Sequence, residues 1–169
     1  MTIVTDHLNT LAPRQVRDVM AKVPTSVTVV AGQPELTGER AAMIVGSFVF
    51  VSLDPCLVGF FVSQKSTTWP QLNKATVLGI STLAATQRQF CRKLGKKEAD
   101  RFDERFWTQG AFGAPLVAGA VASIECQIEN VTAAGDHAFV LARVLGLNAG
   151  NTNDPLVFQN HEFTRLRPC

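Results

Sequence analysis

The sequence predicts a mainly β fold, a closed antiparallel barrel with peripheral helices, and three observations predict it. Seven or so short β-branched or apolar runs follow one another with turn residues between them, the pattern of sequence-local antiparallel strands. Helical periodicity is confined to brief stretches and rarely alternates with strands, which fits a doubly wound α/β sheet poorly. Neither GxGxxG nor GxxxxGK(S/T) occurs, so Rossmann and P-loop modes have no sequence support.

Residues 13 to 23 place Val16, Val19, Met20 and Val23 at helical spacing, with Arg14, Arg17, Asp18 and Lys22 facing away. This predicts an amphipathic helix packed on whatever follows and stopped by Pro24. Residues 26 to 31 are β-branched and apolar, a strand, and 32 to 38 form a turn region with Pro34 and two glycines. Residues 40 to 45 and 48 to 53 make a further extended stretch, broken or bulged near Gly46. Asp54-Pro55 turns the chain, and 56 to 63 return as a continuous apolar strand, as when both faces are covered.

Thr68 followed by Gln71 is a capping-box signature, with Pro70 tolerated in the first turn of a short helix ending near Ala75. A strand at 77 to 83 leads to a helix at 86 to 95 with Phe90, Cys91 and Leu94 inward. The interval 96 to 114 is polar and aromatic by turns and reads as a long ordered loop or short-helix excursion. From 120 to 131, Ile124, Cys126 and Ile128 alternate with Glu125, Gln127 and Glu129, a half-solvated strand. A hairpin turn at 132 to 136 joins it to a partner at 137 to 147, and 156 to 158 with 163 to 166 close the set.

The chain of 169 residues is expected to be one domain, with its core between about 13 and 167. Hydrophobic residues are 46% and charged residues 18%, a folded composition rather than a disordered one. Sixteen basic and 14 acidic side chains leave a net charge of +2, which gives no electrostatic case for nucleic acid or an anionic membrane. No apolar run spans a bilayer, and the first 13 residues lack a signal peptide's basic and apolar regions, so the expected location is cytoplasmic. Cys56, Cys91, Cys126 and Cys169 show no metal-ligand spacing, and reduced structural thiols are expected, with Cys126 buried.

Two segments carry candidate chemistry. Ser47 and Ser52 are either ordinary strand serines or, if a bulge near Gly46 turns both to one side, hydroxyls for the polar edge of a flat ring. Lys65, Ser66, Thr67 and Thr68 set one cation and three hydroxyls at a helix start, where free N–H groups and the dipole suit a phosphate; a plain capping cluster is the alternative. His137 follows Gly135-Asp136 at the end of a turn, as a turn histidine or as a donor beside a ligand. Arg88, Arg92, Lys93, Lys96 and Lys97 read as a solvated basic helix end. His7 and His161 carry no pattern.

In order and spacing these pieces resemble the flavin reductase-like family of FMN-binding split barrels, from about Val16 to Leu166. The matching segments are Ser26-Val27-Thr28-Val29-Val30, Ala42 to Val58, Ser66-Thr67-Thr68, Gly113 to Leu116, Gly135-Asp136-His137 into Arg143-Val144, and Pro155 to Phe158. The chain departs from the family at Gly46, Val49-Phe50, Cys56 and Asn160 to Phe163, and it contains no Tyr, changes that make the site more apolar. The resemblance implies a split antiparallel β-barrel of the FMN-binding type. It also implies a homodimer with flavin near the subunit interface, and hydride transfer from NADH or NADPH to FMN, FAD being possible. Reduced flavin would then pass to a separate monooxygenase.

By motif, Ile44, Val45, Gly46, Ser47 and Ser52 would line the ring and ribityl chain, and Ser66, Thr67 and Thr68 would bind the phosphate beside Lys65. Ser81 and Leu83 would offer backbone contacts, Arg101 and Phe102 would flank the cofactor tail, and His137 would stand on the nicotinamide side as the catalytic residue. Two other readings stay open at this level. One is a barrel that retains flavin and acts on an organic substrate as an oxygenase or oxidase. The other is a dimeric barrel that has lost flavin.

Overall fold

The computed structural model describes residues 12–97, 99–151 and 154–166. In chain order the described elements are α1 (Pro13–Met20), β1 (Thr25–Ser26), β2 (Thr28–Gly32), β3 (Ala41–Val45), β4 (Val49–Ser52), β5 (Leu57–Ser63), α2 (Trp69–Leu72) and β6 (Leu78–Thr82). They continue with α3 (Arg88–Gly95), β7 (Trp107–Gln109), β8 (Pro115–Val117), β9 (Ala122–Ala134), β10 (His137–Ala149), β11 (Leu156–Gln159) and β12 (Glu162–Arg165). Seven strands form one antiparallel sheet in the order β3-β2-β6-β9-β10-β5-β4, flanked by the small sheets β1-β11-β12 and β7-β8. The expected mainly β fold with short peripheral helices is what the chain adopts.

Closure follows from one short connection. β3 and β4 lie at opposite edges of the seven-stranded sheet, yet only residues 46 to 48 separate them. The sheet therefore has to curl until its edges meet. Ser47 ties the seam: its Oγ accepts from the Phe61 amide at 2.9 Å and donates to the Phe61 carbonyl at 3.2 Å. A Ser47→Ala substitution is expected to cost about 0.5–1.5 kcal/mol in denaturant unfolding. An unchanged midpoint would mean that packing alone holds the seam.

Two cores share β2. Val30 joins Phe60, Leu72, Leu78, Ile80 and Val140 inside the barrel. Val29 and Ala31 point the other way, onto Phe90, Cys91 and Leu94 of α3 and Val117 of β8. Alternation across a strand explains why all five residues of β2 are buried. Burial pushes the Cys91 thiol up to about 11 and the Cys126 thiol up to about 12. Both are inert structural thiols.

Several expectations change. The described chain buries no residue of the apolar stripe of α1, Val19 being 58% and Met20 57% exposed. Thr68 caps nothing with its side chain; Ser66 Oγ instead accepts from the Trp69 amide at 3.1 Å, and α2 is only four residues long. The 96 to 114 interval holds 3-10 turns at 99–102 and 104–106 and the β7–β8 hairpin, which the polar–aromatic mixture concealed.

That hairpin folds over Glu125. The carboxylate, expected on a solvated face, is 5% exposed and accepts from the Phe112 and Ala114 amides at 2.9 and 3.1 Å. The β9–β10 turn is also tighter than expected. Pairing runs to Ala134↔His137, leaving Gly135 and Asp136 as the loop, with Gly135 at φ +64° as such a two-residue turn requires.

Candidate functional site

Three pieces of chain meet beside the start of β3. They are the loop entering α2, the turn leaving α3, and the 3-10 turn at 99–102, and they enclose a cavity of about 250 Å³. Its polar lining is Arg40, Thr67, Thr68, Gln71, Lys97 and Arg101, with Ala41, Ala42 and Phe102 as the apolar part.

Lys97 is placed by an unusual backbone. It follows α3 in the left-handed region at φ +55°, where its amide bonds the Leu94 carbonyl at 3.1 Å. Glycine normally fills this post-helical position, and a side chain there costs about 1 kcal/mol. From that backbone Lys97 Nζ donates to Thr67 Oγ1 at 2.9 Å, and the Lys97 carbonyl accepts from Arg101 Nη1 at 2.8 Å. The Arg101 guanidinium lies 4.7 Å from the Phe102 ring centre, and Trp107 Nε1 holds the Arg101 carbonyl at 2.9 Å.

Arg40 enters from the opposite wall. Its guanidinium stacks 5.2 Å from the Trp107 ring and reaches Glu104 at 3.4 Å, while its buried Nε has no hydrogen-bond partner among the described residues. Three cations thus border one cavity. Like charges so arranged repel until an anion joins them, and guanidinium and ammonium groups beside hydroxyls suit a phosphate. The chemistry of this donor set fits the phosphate-bearing tail of a flavin nucleotide. The pull does not come from a helix N-terminus, since α2 is too short and Ser66 already caps it.

Of the residues singled out from sequence, Thr67, Thr68, Arg101 and Phe102 are brought together in this cavity. Ser66 stands beside it as the cap of α2. Lys65 faces the β9–β10 tip, where Asp136 sits. A hydrogen bond from His137, the charge of His137 and then Lys65 hold the Asp136 carboxyl below its ordinary range. His137 Nδ1 lies 2.7 Å from Asp136 Oδ1, and the Gln64 amide bonds the Asp136 carbonyl at 3.1 Å. The tip is thus tied to the loop carrying Thr67, although His137 does not line the cavity.

Other candidates are spent on structure. Ile44 packs toward α3 and Val45 into the barrel, leaving them backbone only. A Cβ at Gly46 would lie 2.9 Å from Thr25 Oγ1, so only glycine passes there without a shift. Ser47 holds the seam, and Ser52 lies at the far end of β4 beside Leu57, so the expected bulge near Gly46 does not bring the two hydroxyls together; the register shift falls between Phe50 and Ser52.

Ser81 and Leu83 offer no free backbone or hydroxyl. Ser81 pairs with Val29 and Ser123 and its Oγ accepts from Val117, while Leu83 bonds Val27 and Leu156. Neither residue lines the cationic cavity. Conversely, sequence reasoning missed Arg40 and Lys97. Lys97 sat in a basic run that read as a solvated helix end, and Arg40 carried no periodic signal.

A larger cavity, about 570 Å³, lies between the β7–β8 hairpin and β9–β10, but among the described residues no cation lines it and Glu125 there is already engaged. Among the described residues no cluster of His, Cys, Asp and Glu could hold a metal ion, and no helix is long and apolar enough to cross a membrane.

Comparison with known proteins adds independent findings. A family model described as a flavin reductase like domain matches residues 20–167. The chain is 34% identical over 147 residues to a flavin reductase of Pseudomonas putida, covering 86% of this chain and 85% of that protein. It is 30% identical over 156 residues to the reductase subunit HsaB of a flavin-dependent monooxygenase of Rhodococcus jostii (strain RHA1), covering 92% and 79%. Among solved structures, the NADH:FAD oxidoreductase SgcE6 of Streptomyces globisporus C-1027, in complex with NAD and FAD fragments, superposes with a TM-score of 0.83. That match is at 33% identity over 92% of this chain and 93% of that one.

Proposed function

The chain belongs to the flavin reductase-like domain family, and on that premise we propose that it is an NAD(P)H-dependent flavin reductase supplying reduced flavin to a partner monooxygenase. The observation that carries the site is the cationic cavity lined by Lys97, Arg101 and Arg40 together with Thr67 and Thr68. Thr67 and Lys97 hold the flavin phosphate, already joined at 2.9 Å. Bound flavin supplies a two-electron acceptor for the hydride of the nicotinamide.

The protein's own task is to hold the two rings together and exclude water. The backbone of 44 to 47 at the β3 seam offers an edge for the ring. The hydrogen bond between His137 Nδ1 and Asp136 leaves Nε2 as the group that faces a ligand, as acceptor or, when protonated, as donor.

A homodimer belongs to the same reading. Edge strand β4 exposes Val49, Phe50 and Val51 at 44%, 60% and 43%, with Leu53 and Phe61 beside them. An unpaired apolar edge of this kind calls for a covering partner. The replacements at Val49 and Phe50 therefore enlarge a contact surface. A steady-state assay tests the activity: NADH or NADPH consumption should require added FMN or FAD and saturate with it. Absence of turnover with both nucleotides and both flavins would refute the reading.

A further inference from the structure

The cavity of about 570 Å³ between the β7–β8 hairpin and β9–β10 holds a charge that flavin binding does not use. Glu125 lines it at 5% exposure, and among the described residues no cation does. Both amides that reach the carboxylate, from Phe112 and Ala114, end on Oε1. Oε2 accepts from nothing among the described residues. We propose that this cavity is a binding site for a small organic cation, an amine with an apolar body, whose ammonium pairs with Glu125 Oε2.

Glu125 has a structural duty, but one oxygen discharges it. A glutamine would accept from the same two amides through its carbonyl oxygen. What the glutamate alone supplies is a second acceptor and a negative charge. A charge so buried is costly unless a counter-charge meets it.

The neighbouring chain leaves Oε2 uncovered. Gly146 of β10 stands opposite Glu125 in register, and the register shift between Val144 and Gly146 marks a bulge there. Such bulges re-aim side chains beside sites. A Cβ on Gly146 would lie 4.0 Å from Oε2 and 3.0 Å from the Phe112 ring, so that ring lies over the glycine and beside the carboxylate. A carboxylate next to an aromatic ring suits an organic cation on both counts.

The rest of the lining matches an amphiphilic guest. Ser123, two residues before Glu125 on the same strand face, and Asn148, opposite Ser123 in register, are polar. Phe112, Leu116 and Leu147 form the apolar part. The volume is within the usual range for a small-molecule site. A metal ion would need further ligands, and among the described residues no cluster of His, Cys, Asp and Glu supplies them.

Calorimetric titration of the full-length protein with benzylamine, benzyl alcohol and benzoate tests the proposal, since these share a ring and differ in charge. Benzylamine should bind at least tenfold more tightly than the alcohol, the span of one charge-assisted hydrogen bond, and benzoate should not bind. In isotope-labelled protein the Phe112 and Ala114 amide signals should shift with benzylamine, because both amides report on Glu125. Glu125→Gln keeps an acceptor for both amides and should abolish the preference for the amine. Ser123→Phe fills the cavity without touching the bonds of Glu125 and should abolish binding of amine and alcohol alike. If Glu125→Gln fails to fold, Ser123→Phe decides alone.

Absence of saturable benzylamine binding would overturn the proposal. So would equal affinity for amine and alcohol, or a preference for the amine that survives Glu125→Gln. Binding that persists in Ser123→Phe, with the Phe112 and Ala114 signals unmoved, would place the amine elsewhere and overturn it equally. None of these outcomes bears on flavin reduction, which is tested separately.

Discussion

Removing the Lys97 ammonium together with the Thr67 hydroxyl, as the double substitution Lys97→Ala and Thr67→Val, is expected to raise the flavin Kd by about 10- to 100-fold. The two groups form one unit at 2.9 Å on the cationic cavity. A hydrogen bond to a charged group is worth about 1.5–3 kcal/mol, which is that span in affinity. The wild-type affinity should also fall with salt more steeply than that of the double variant, because one screened charge has gone.

Lys97→Gly separates binding from folding. Glycine accepts the φ of +55° without steric cost, so this variant should be more stable by up to about 1 kcal/mol while binding flavin more weakly. Opposite signs in a thermal melt and a flavin titration mark a residue kept strained for a ligand. A fall in both would make Lys97 a purely structural residue.

The second large effect lies in the barrel. Phe60 is fully buried and packs edge-on against Trp69, their ring centres 6.0 Å apart. Phe60→Ala should cost about 3–5 kcal/mol in urea unfolding, a large part of a domain's usual 5–15 kcal/mol. Its neighbour points outward: Phe61 is 40% exposed and stacks on Phe139 at 5.0 Å. Phe61→Ser should cost the folded subunit about 1 kcal/mol, yet shift a dimer toward monomers in sedimentation. A Phe61→Ser protein that remains dimeric would move the interface away from β4 and β5.

Much of the fold could be read from period and punctuation. Phe90, Cys91 and Leu94 face inward as their spacing demands, and Cys126 is buried on its alternating face. Burial patterns that depend on distant chain could not be read locally. Glu125 looked solvated because nothing in its own strand announces the β7–β8 hairpin that covers it. The Val16, Val19, Met20 stripe predicted packing that the described chain does not supply.

The site divides in the same way. Thr67, Thr68, Arg101 and Phe102 lie in or beside motifs that could be recognised in order. Arg40 and Lys97 could not be found, because their roles arise from a stacked guanidinium and a left-handed backbone that only the folded chain creates. Ser47 and Ser81 illustrate the reverse error. The Ser47 hydroxyl, expected beside the ring, serves the barrel seam, and Ser81, expected to offer its backbone, pairs with strands on both sides while its hydroxyl accepts from the β8 amide.

This barrel is expected to bring a nicotinamide and a flavin together for hydride transfer. Anaerobic rapid mixing of the purified protein with oxidised flavin and reduced nicotinamide, deuterated at C4 in a parallel run, tests it most directly. The visible band of the flavin should bleach in step with nicotinamide oxidation, far faster than without protein, and more slowly with deuterium. Bleaching no faster than in free solution, with NADH and NADPH and with both FMN and FAD, would contradict it.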